Sequence, residues 1–587
     1  MPGHRHVRCA CFTFAVAAFA ARCRVAATAP PVLSTPTPAL VSQRAVERLP
    51  RSALLLFCAA YVLPGLFGRD PWRNADITAF GYMFSLAQGG ADLLSPSIAG
   101  LPADGALLPY WLGALGIHLF GGLLDPALAA RLPFALLLVG VLVFTWYGTY
   151  HLARTDNAQP LPFAFGGEAS PVDYARAIAD GALLALMATL GLLQLGHETT
   201  PELMQLFAAA LFFYAMAASV SRRWASRGAV LLALPVLAAS GAPAIGLGYA
   251  LAGAVVCLRS SFPLARLFSL WIVGAAALAS TIALAIGAWS WRLGTPDVSQ
   301  VVQLLAWFAW PAWAMAGWTL WRWRGHLMHR HIAVPATAAA VALLACIGMG
   351  GSDRALMLAL PPLAALAAFA LPTLQRSVSA AIDWFSVAFF SIAAIAVWVV
   401  YAALQTGVPA KTASNVARLV PGYQSSFAWF PLLAAVAGTL AWLLLVRWRT
   451  GRHRPVLWKS LVLPAGGLSL CWLLAMTLLL PVLDYARSDR PLVERIAQHV
   501  PSDACIATVG LPRAQLAALE YHGGWRVETH PVPPQTGCEF LLTTARANAV
   551  TETLARPGWK LLARERRPTD RAEQTVVYRR DLASAGR

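Results

Sequence analysis

The stretch that decides the fold is a polar break in an apolar chain, Gly68-Arg69-Asp70-Pro71-Trp72-Arg73-Asn74-Ala75-Asp76-Ile77-Thr78-Ala79-Phe80-Gly81. It follows a hydrophobic run from Ala53 to Phe67. It also opens a segment of roughly fifty residues that is too polar and too broken by Gly and Pro to cross a bilayer. A carboxylate just outside the first membrane helix would lie at the boundary between water and lipid, within reach of a lipid-linked substrate. We therefore expect a functional site here.

The composition on both sides of this break is that of a polytopic membrane protein. The chain has 587 residues, of which 58% are hydrophobic and 12% are charged, and its mean hydropathy is +0.60. A soluble domain carries about twice that charged fraction. The net charge of +18 would suggest nucleic acid in a soluble protein. Here the charges cluster in short loops between apolar runs, so we expect membrane lipids and no nucleic acid as partners.

Length and hydropathy predict an α-helical protein with about thirteen transmembrane helices. The predicted spans are 53–68, 130–152, 178–195, 203–220, 228–241, 244–258, 267–289, 301–321, 332–350, 355–373, 383–405, 427–446 and 460–483.

Alternate connections between these spans are rich in arginine, which predicts the orientation. The positive-inside rule makes the arginine-rich set cytoplasmic. The opposite set, with the long segment 69–128, then faces outward, and an odd number of spans places the C-terminal tail outside. The arginine-rich connections contain Arg222-Arg223 and Arg227, Arg259 and Arg266, Arg322-Trp323-Arg324 and Arg330, Arg376, and Arg447 to Lys459.

Two apolar stretches in the outward segment 69–128 predict short helices on the membrane surface. They run from Tyr82 to Ala87 and from Leu107 to Phe120. Tyr110 suits an interfacial position, because aromatic rings favour the boundary between lipid and water. The alternative for Leu107–Leu124 is another transmembrane helix.

Three regions follow from this organisation. Residues 1–52 form a weak leader or a poorly ordered N-terminus. Residues 53–484 form the transmembrane domain, and residues 485–587 form a small α/β domain in which short strands alternate with helices. The predicted strands are 504–509, 525–528, 540–544 and 575–578, and the predicted helices are 491–499, 513–521 and 547–554.

Two of the nine cysteines, Cys505 and Cys538, adjoin predicted strands of this α/β domain. Because the domain is expected outside the cytoplasm, where thiols oxidise, we predict a disulfide between them. The alternative is a pair of reduced, buried cysteines. Zinc is not expected, since no CxxC with a second pair or a histidine partner occurs.

The outward loops hold few carboxylates, and a carboxylate near a membrane usually has a function or a partner. Asp70 and Asp76 lie in the first loop. His197, Glu198 and Glu202 lie in a short later connection. Structural alternatives are a turn or helix cap for Asp70, a solvated loop position for Asp76, and a first-turn acid for Glu202.

Several stretches together resemble the GT-C membrane glycosyltransferases, in the branch of the lipid A aminoarabinose transferases and protein mannosyltransferases. The order and spacing of these stretches carry the resemblance, which covers most of residues 53–545. They are Asp70-Pro71-Trp72-Arg73-Asn74-Ala75-Asp76, Phe80-Gly81, Gly89-Gly90-Ala91-Asp92-Leu93-Leu94-Ser95-Pro96, Leu107-Leu108-Pro109-Tyr110-Trp111-Leu112, Leu119-Phe120-Gly121, Ala130-Arg131-Leu132-Pro133, Glu202-Leu203-Met204-Gln205-Leu206-Phe207, Asp353-Arg354 and Leu360-Pro361-Pro362.

This chain departs from the family pattern at three positions. Ile77 stands where the family has the Glu of an Asp-Glu pair. Asp104-Gly105-Ala106 stands where a Lys is expected, and the second acid is Glu202 where the family has Asp. Phosphate binding would then use arginine, with Arg69, Arg73 and Arg354 as the candidates.

The resemblance implies transfer of a sugar from a polyprenyl phosphate to a lipid, protein or glycan acceptor at the periplasmic face of the bacterial inner membrane. We assign Asp76 as the catalytic acid/base candidate and Glu202 as a second catalytic residue. Glu202 and Glu198 would orient the acceptor or hold a divalent ion, which is the one cofactor we consider. His197 would be a hydrogen-bonding neighbour of these acids, and Asp70 and Tyr110 would contact substrate.

Two alternatives stay open. One is a transporter or flippase of lipid-linked intermediates, although such proteins tend to have internal repeats and acids at mid-membrane, which this sequence lacks. The other is an inactive GT-C relative that acts as a binding subunit, because the family Glu and Lys are missing.

Overall fold

The computed structural model describes residues 39–47, 49–163, 166–289, 293–451, 456–529, 537–547 and 558–581. It is mostly helical. The α-helices are α1 Arg51–Val62, α2 Ala75–Ala87, α3 Leu108–Phe120, α4 Pro126–Ala153, α5 Pro171–Met187, α6 Leu190–Leu195, α7 Pro201–Ala218, α8 Arg223–Ala239, α9 Pro243–Leu258, α10 Pro263–Ala285, α11 Val298–Phe308, α12 Ala312–Arg322, α13 Arg330–Gly348, α14 Asp353–Met357, α15 Leu360–Ala370, α16 Arg376–Thr406, α17 Ala410–Leu419, α18 Trp429–Gly451, α19 Lys459–Leu478, α20 Leu480–Arg487, α21 Arg490–Ile496 and α22 Arg513–Gly523.

Each of the predicted spans contains a helix, but the helices differ in length. Within the described residues, seven are long and apolar enough to cross a membrane: α4, α7, α10, α13, α16, α18 and α19. The predicted span 301–321 is two helices, because the chain turns at 309–311 between α11 and α12. The predicted span 178–195 is likewise divided between α5 and α6. The chain is a multi-pass membrane protein whose shorter apolar helices pack beside these seven.

The outward segment has the two predicted short helices, α2 and α3, with a two-stranded hairpin between them, β1 Ser97–Ile98 and β2 Leu101–Pro102. Helix α2 begins earlier than the prediction, at Ala75, so Asp76 lies in its first turn. Asn74 precedes the helix with φ of 68°. Asparagine is one of the few side chains enriched at positive φ, and this sharp turn aims the helix start inward.

The C-terminal region is a five-stranded mixed sheet with helices α21 and α22. Its strands are β3 Cys505–Val509, β4 Arg526–Thr529, β5 Phe540–Arg546, β6 Trp559–Glu565 and β7 Glu573–Arg580. The spatial order is β4-β3-β5-β7-β6, with β3 parallel to β4 and β5, and β7 antiparallel to β5 and β6. The sequence analysis predicted all of these strands except β6. The predicted helix 547–554 lies almost wholly outside the described residues.

The expected N-terminal leader, 1–52, is described only from residue 39 onward, where it packs on the helices. Ala39, Val41 and Val46 are buried, and Gln43–Val46 forms a short 3₁₀ helix.

Helix α22 of the C-terminal domain packs directly on α2, which carries Asp76. Tyr521 lies edge-on against Phe80 at 4.6 Å and against Phe84 at 5.2 Å between ring centroids. Gly81 gives α22 room to approach, since a Cβ at this position would lie 2.5 Å from the Cβ of Ala517. The C-terminal domain therefore contacts α2, the helix whose first turn carries Asp76.

The Gly81→Ala variant should loosen this contact, because its Cβ would overlap Ala517 unless the helices separate. We expect a cost of about 1–3 kcal/mol, seen as a lower melting temperature and faster proteolysis of the C-terminal domain. Gly122→Ala is the matched control, since a Cβ there meets nothing within 4 Å. Equal behaviour of the two variants would contradict the close packing.

A disulfide joins Cys505 at the start of β3 to Cys538 before β5, with the Cα atoms 4.8 Å apart. We predict that peptides bearing the two cysteines separate only after reduction in mass spectra of the purified protein. The pair closes a loop of 33 residues. Cys538→Ser should therefore destabilise the domain by about 3 kcal/mol. Alkylation of both thiols before reduction would contradict the disulfide.

Candidate functional site

The polar break after α1 is fixed by Trp72, which lies between two guanidinium groups. Arg69 lies 4.7 Å from its ring centroid and Arg487 lies 4.9 Å away. The indole Nε1 donates to Asp484 Oδ1 at 2.9 Å, and the same oxygen accepts from the Asp70 amide at 3.0 Å. The loop after α1 is thus held by α20, the short helix that follows α19.

Asp76 is a buried carboxylate, and both of its oxygens accept hydrogen bonds from other groups of the chain. Its Oδ2 accepts from Arg69 Nη2 at 3.2 Å and from the Trp72 amide at 3.0 Å. Its Oδ1 accepts from the amide and the hydroxyl of Thr199, each at 2.8 Å. The residue is 1% exposed. These bonds join the first outward loop to the connection that contains Glu198 and Glu202.

The surroundings of Asp76 favour its ionised form. Burial by itself would raise its pKa, but the charges of Arg69 and Arg131 and the two Thr199 hydrogen bonds outweigh burial and lower it. An ionised carboxylate with four donors in place is poorly arranged to accept a proton from a substrate. In this conformation Asp76 positions Arg69 and Thr199, and the predicted acid/base role would require these bonds to open.

Asp70 contacts the C-terminal domain through Arg490. Arg490 Nε donates to Asp70 Oδ2 at 2.7 Å, its Nη2 donates to Oδ1, and the Ser488 hydroxyl donates to Oδ2 at 3.0 Å. Asp70 is thus an interdomain partner in this structure and does not cap the helix that begins at Ala75. Its contact with substrate stays a prediction. Arg73 is exposed, and its amide donates to the Arg487 carbonyl.

His197 is half-buried against α1 and α19 and contacts backbone carbonyls, where we predicted contacts with the acids. Its Nδ1 lies 2.7 Å from the Leu193 carbonyl oxygen and its Nε2 lies 2.9 Å from that of Tyr61. Burial lowers its pKa to about 4. Its own carbonyl accepts from Arg69 at 2.8 Å. The residue therefore anchors the connection that follows α6.

Arg354 brings the two predicted glutamates together. Its Nη2 lies 2.7 Å from Glu198 Oε2, and its Nη1 lies 3.4 Å from Glu202 Oε2 and 3.3 Å from the Thr200 hydroxyl. Glu198 is the more buried acid, and burial together with the charge of Asp76 raises its pKa. Arg354 is therefore the cation shared by the two acids, and it ties the connection before α7 to the start of α14.

A polar cavity of about 430 Å³ lies beside Glu202. Its walls include Tyr110, whose contact with substrate stays a prediction, and Asn74 and Thr78 from the start of α2. The C-terminal domain closes it with Arg513, which pairs with Asp104 at 2.6 Å. The cavity therefore has walls from the outward segment, α7 and the sheet domain.

An apolar cavity of about 660 Å³ lies on the other side of Glu202. Arg354 and Ser352 stand at its polar end, and Gln205 and Glu202 line both cavities. Its apolar walls come from α9 and α13 and include Pro243, Ile245, Gly248, Leu251, Val341 and Leu344. As formed by the described residues, neither cavity has Asp76 in its wall.

The guanidinium of Arg354 would compete with the divalent ion predicted at Glu198 and Glu202. Both acids contact Arg354, whose guanidinium occupies the space between them. Elsewhere in the described residues, one group of metal-ligand side chains is close enough to share an ion, Cys505, Glu528 and Cys538, and its cysteines are bonded to each other.

Several residues that build this site were not predicted from the sequence. Trp72, Thr199, Asp484, Arg487 and Arg490 hold the predicted acids and arginines in place. One signal was present, since residues 484–490 after α19 include two acids and two arginines, as do residues 69–76 after α1.

The helical architecture, the large first outward segment and the small C-terminal sheet match the GT-C-like fold that was predicted from the sequence. Two solved structures share it, both of ArnT from Cupriavidus metallidurans. The form bound to undecaprenyl phosphate has a TM-score of 0.61 at 15% identity, covering 91% of this chain and 98% of that one. The apo form has a TM-score of 0.62 at 13% identity, covering 91% and 99%. The expected fold class is thereby confirmed.

A third structure, the arabinosyltransferase EmbB from Mycobacterium smegmatis, aligns with a TM-score of 0.41 at 15% identity, covering 74% of this chain and 41% of that one. No family model and no curated protein matches the sequence.

Proposed function

We propose that this protein is a glycosyltransferase that uses a polyprenyl-phosphate sugar as donor. One observation carries the proposal: Glu202 and Arg354 stand where a polar cavity meets an apolar one. A lipid-linked sugar likewise has an apolar part and a polar part, a hydrocarbon chain and a sugar, which are joined by a phosphate. The similar fold of ArnT, whose structure contains undecaprenyl phosphate, supports this choice.

The donor would lie with part of its chain in the apolar cavity and its phosphate at Arg354. A guanidinium suits this position, because its planar donors pair with two phosphate oxygens at once. As the bond between the anomeric carbon and the phosphate oxygen breaks, negative charge grows on the leaving lipid phosphate. Arg354 would stabilise that charge, exchanging part of its contact with Glu198 and Glu202 for the phosphate.

The acceptor would enter the polar cavity, and Glu202 would take its proton. The acceptor oxygen forms a bond to the anomeric carbon while its hydrogen passes to the Glu202 carboxylate. We prefer Glu202 to Asp76 as the base because Glu202 lines both cavities, whereas the Asp76 oxygens are already occupied by Arg69, Trp72 and Thr199. Asp76 then acts through Arg69 and Thr199 as a positioning residue.

We place the reaction at the periplasmic face of a bacterial inner membrane, with the C-terminal domain in the periplasm. The support is the alternation of arginine-rich connections along the sequence, which favours a cytoplasmic location for the opposite ends of the helices. Lipid A, a protein or another glycan would serve as acceptor.

The direct test is transfer by the purified full-length protein in detergent, with radiolabelled polyprenyl-phosphate sugars and membrane extracts as acceptor. We expect the wild type to transfer label, and Arg354→Ala to lose donor binding and transfer. Arg376→Ala is the matched control, because this exposed arginine lies at the start of α16, away from both cavities.

Each alternative predicts a different result in the same preparation. A transporter would move lipid-linked sugar across proteoliposome membranes without transferring it. An inactive relative would bind the donor with Arg354 and give no product with any acceptor. A cytosolic signal from a reporter fused to the C-terminus would contradict the proposed orientation.

A further inference from the structure

A third cavity, which Glu202 does not line, lies between α1, α4 and α5. Its volume is about 690 Å³, and apolar side chains form most of its wall. They include Leu54, Leu55, Val62, Leu63, Val139 and Val143. Exposed leucines of α1 lie along it, so the cavity is a groove on the surface of the bundle. Nothing in the proposed reaction uses this groove.

The polar groups of the groove gather at one end. Arg51 begins α1 and Arg176 lies in the second turn of α5. Helix α1 leads from Arg51 toward the polar break, and α5 leads from Arg176 toward the connection that contains Glu198. The two arginines therefore lie on the side of the membrane opposite the Glu202 site.

The acidic groups beside these two arginines do not prevent the basic end of the groove from binding an anion. Arg51 is exposed. Arg176 Nη1 lies 3.8 Å from Asp173, a loose contact, and Asp173 also accepts from Ser170 and Gln43. Asp180 also lines the groove; it is 6% exposed and accepts from Trp146 Nε1 at 2.8 Å.

The aromatic pair Trp146 and Tyr147 indicates how deep in the membrane the basic end of the groove lies. Both line the groove near the C-terminal end of α4. Such rings are enriched where the hydrocarbon meets the head groups, the level at which lipid phosphates lie.

The length of the groove fits an acyl chain. Helix α1, which forms one wall, has 12 residues and is therefore about 18 Å long. That is about the depth of one leaflet of a bilayer whose hydrocarbon core is about 30 Å thick. A long polyprenyl chain would leave much of its length outside such a groove.

We infer that this groove is a binding site for an anionic diacyl phospholipid of the leaflet opposite the Glu202 site. Arg51 and Arg176 contact the phosphate, Trp146 and Tyr147 lie at the head-group level, and acyl chains lie along α1 and α4. This site is independent of the proposed transfer reaction.

Native mass spectrometry of the full-length protein, titrated with phosphatidylglycerol or phosphatidylethanolamine, tests the inference. We expect wild type to retain phosphatidylglycerol preferentially. Each arginine near a membrane surface contributes about fivefold to anionic lipid binding, so Arg51→Ala/Arg176→Ala should lower retention at least tenfold. Arg322→Ala/Arg376→Ala, which removes two exposed arginines outside the groove wall, should change it less than twofold.

A second variant, Ala59→Trp, fills the groove and leaves both arginines in place; it should also lower phosphatidylglycerol retention. Melting temperatures of all variants identify any that unfold. Unchanged retention in both folded variants would overturn the site. Retention of undecaprenyl phosphate that phosphatidylglycerol does not displace would overturn the choice of a diacyl lipid.

Discussion

Glu202→Gln should abolish sugar transfer to a hydroxyl acceptor while the protein stays folded and still binds the donor. The amide keeps the shape of the side chain but cannot take the acceptor proton, and loss of a general base typically costs 10²- to 10⁴-fold in rate. Arg354 retains its shorter contact, to Glu198, so the melting temperature should move little. The measurement is kcat for transfer together with donor binding.

Two variants bracket this result. Glu202→Asp keeps a base on a shorter side chain and should restore part of the activity. Glu494→Gln removes an exposed acid of α21 outside both cavities and should transfer at the wild-type rate. Full activity of Glu202→Gln, with donor binding intact, would show that another group accepts the proton.

Asp76→Asn should lower both stability and transfer, which separates a positioning role from catalysis. The amide cannot balance the charge of Arg69, and its NH₂ group would face the donors from Arg69 and Trp72. Leaving one member of a buried ion pair without its partner costs about 3–5 kcal/mol. We expect a clearly lower melting temperature in detergent along with reduced transfer.

A double-mutant cycle with Arg69→Met completes the test. If Asp76 mainly balances Arg69, Arg69→Met/Asp76→Asn should be less destabilised than the sum of the single variants. If Asp76 is instead the base, Asp76→Asn should lose transfer at an unchanged melting temperature, and the cycle should show no coupling in stability.

The sequence predicts the helices and the sheet domain because hydropathy and strand alternation are local signals. It also identifies Glu198, Glu202 and Arg354 as candidates, since polar residues in outward loops are few. Their convergence was not predictable, because Arg354 reaches Glu198 across 156 positions of sequence. A spacing pattern carries no information about such a contact.

The buried, fully hydrogen-bonded setting of Asp76 was unpredictable for the same physical reason. An acid in a polar loop is expected to face water, and nothing in the local sequence shows that Thr199 donates to it twice. Strand β6 was missed for a different reason, since its alternation of exposed and half-buried positions includes Lys560, Arg564 and Glu565 and reads as polar.

The pairing of Asp70 with Arg490 has a consequence for biosynthesis. The two residues are 420 positions apart, so the loop after α1 cannot form this contact until nearly the whole polypeptide has left the ribosome. Contacts of such high sequence separation form late in folding. A nascent chain cut short by a premature stop codon before Arg490 would insert its helices yet leave Asp70 unpaired, a ready target for membrane proteases.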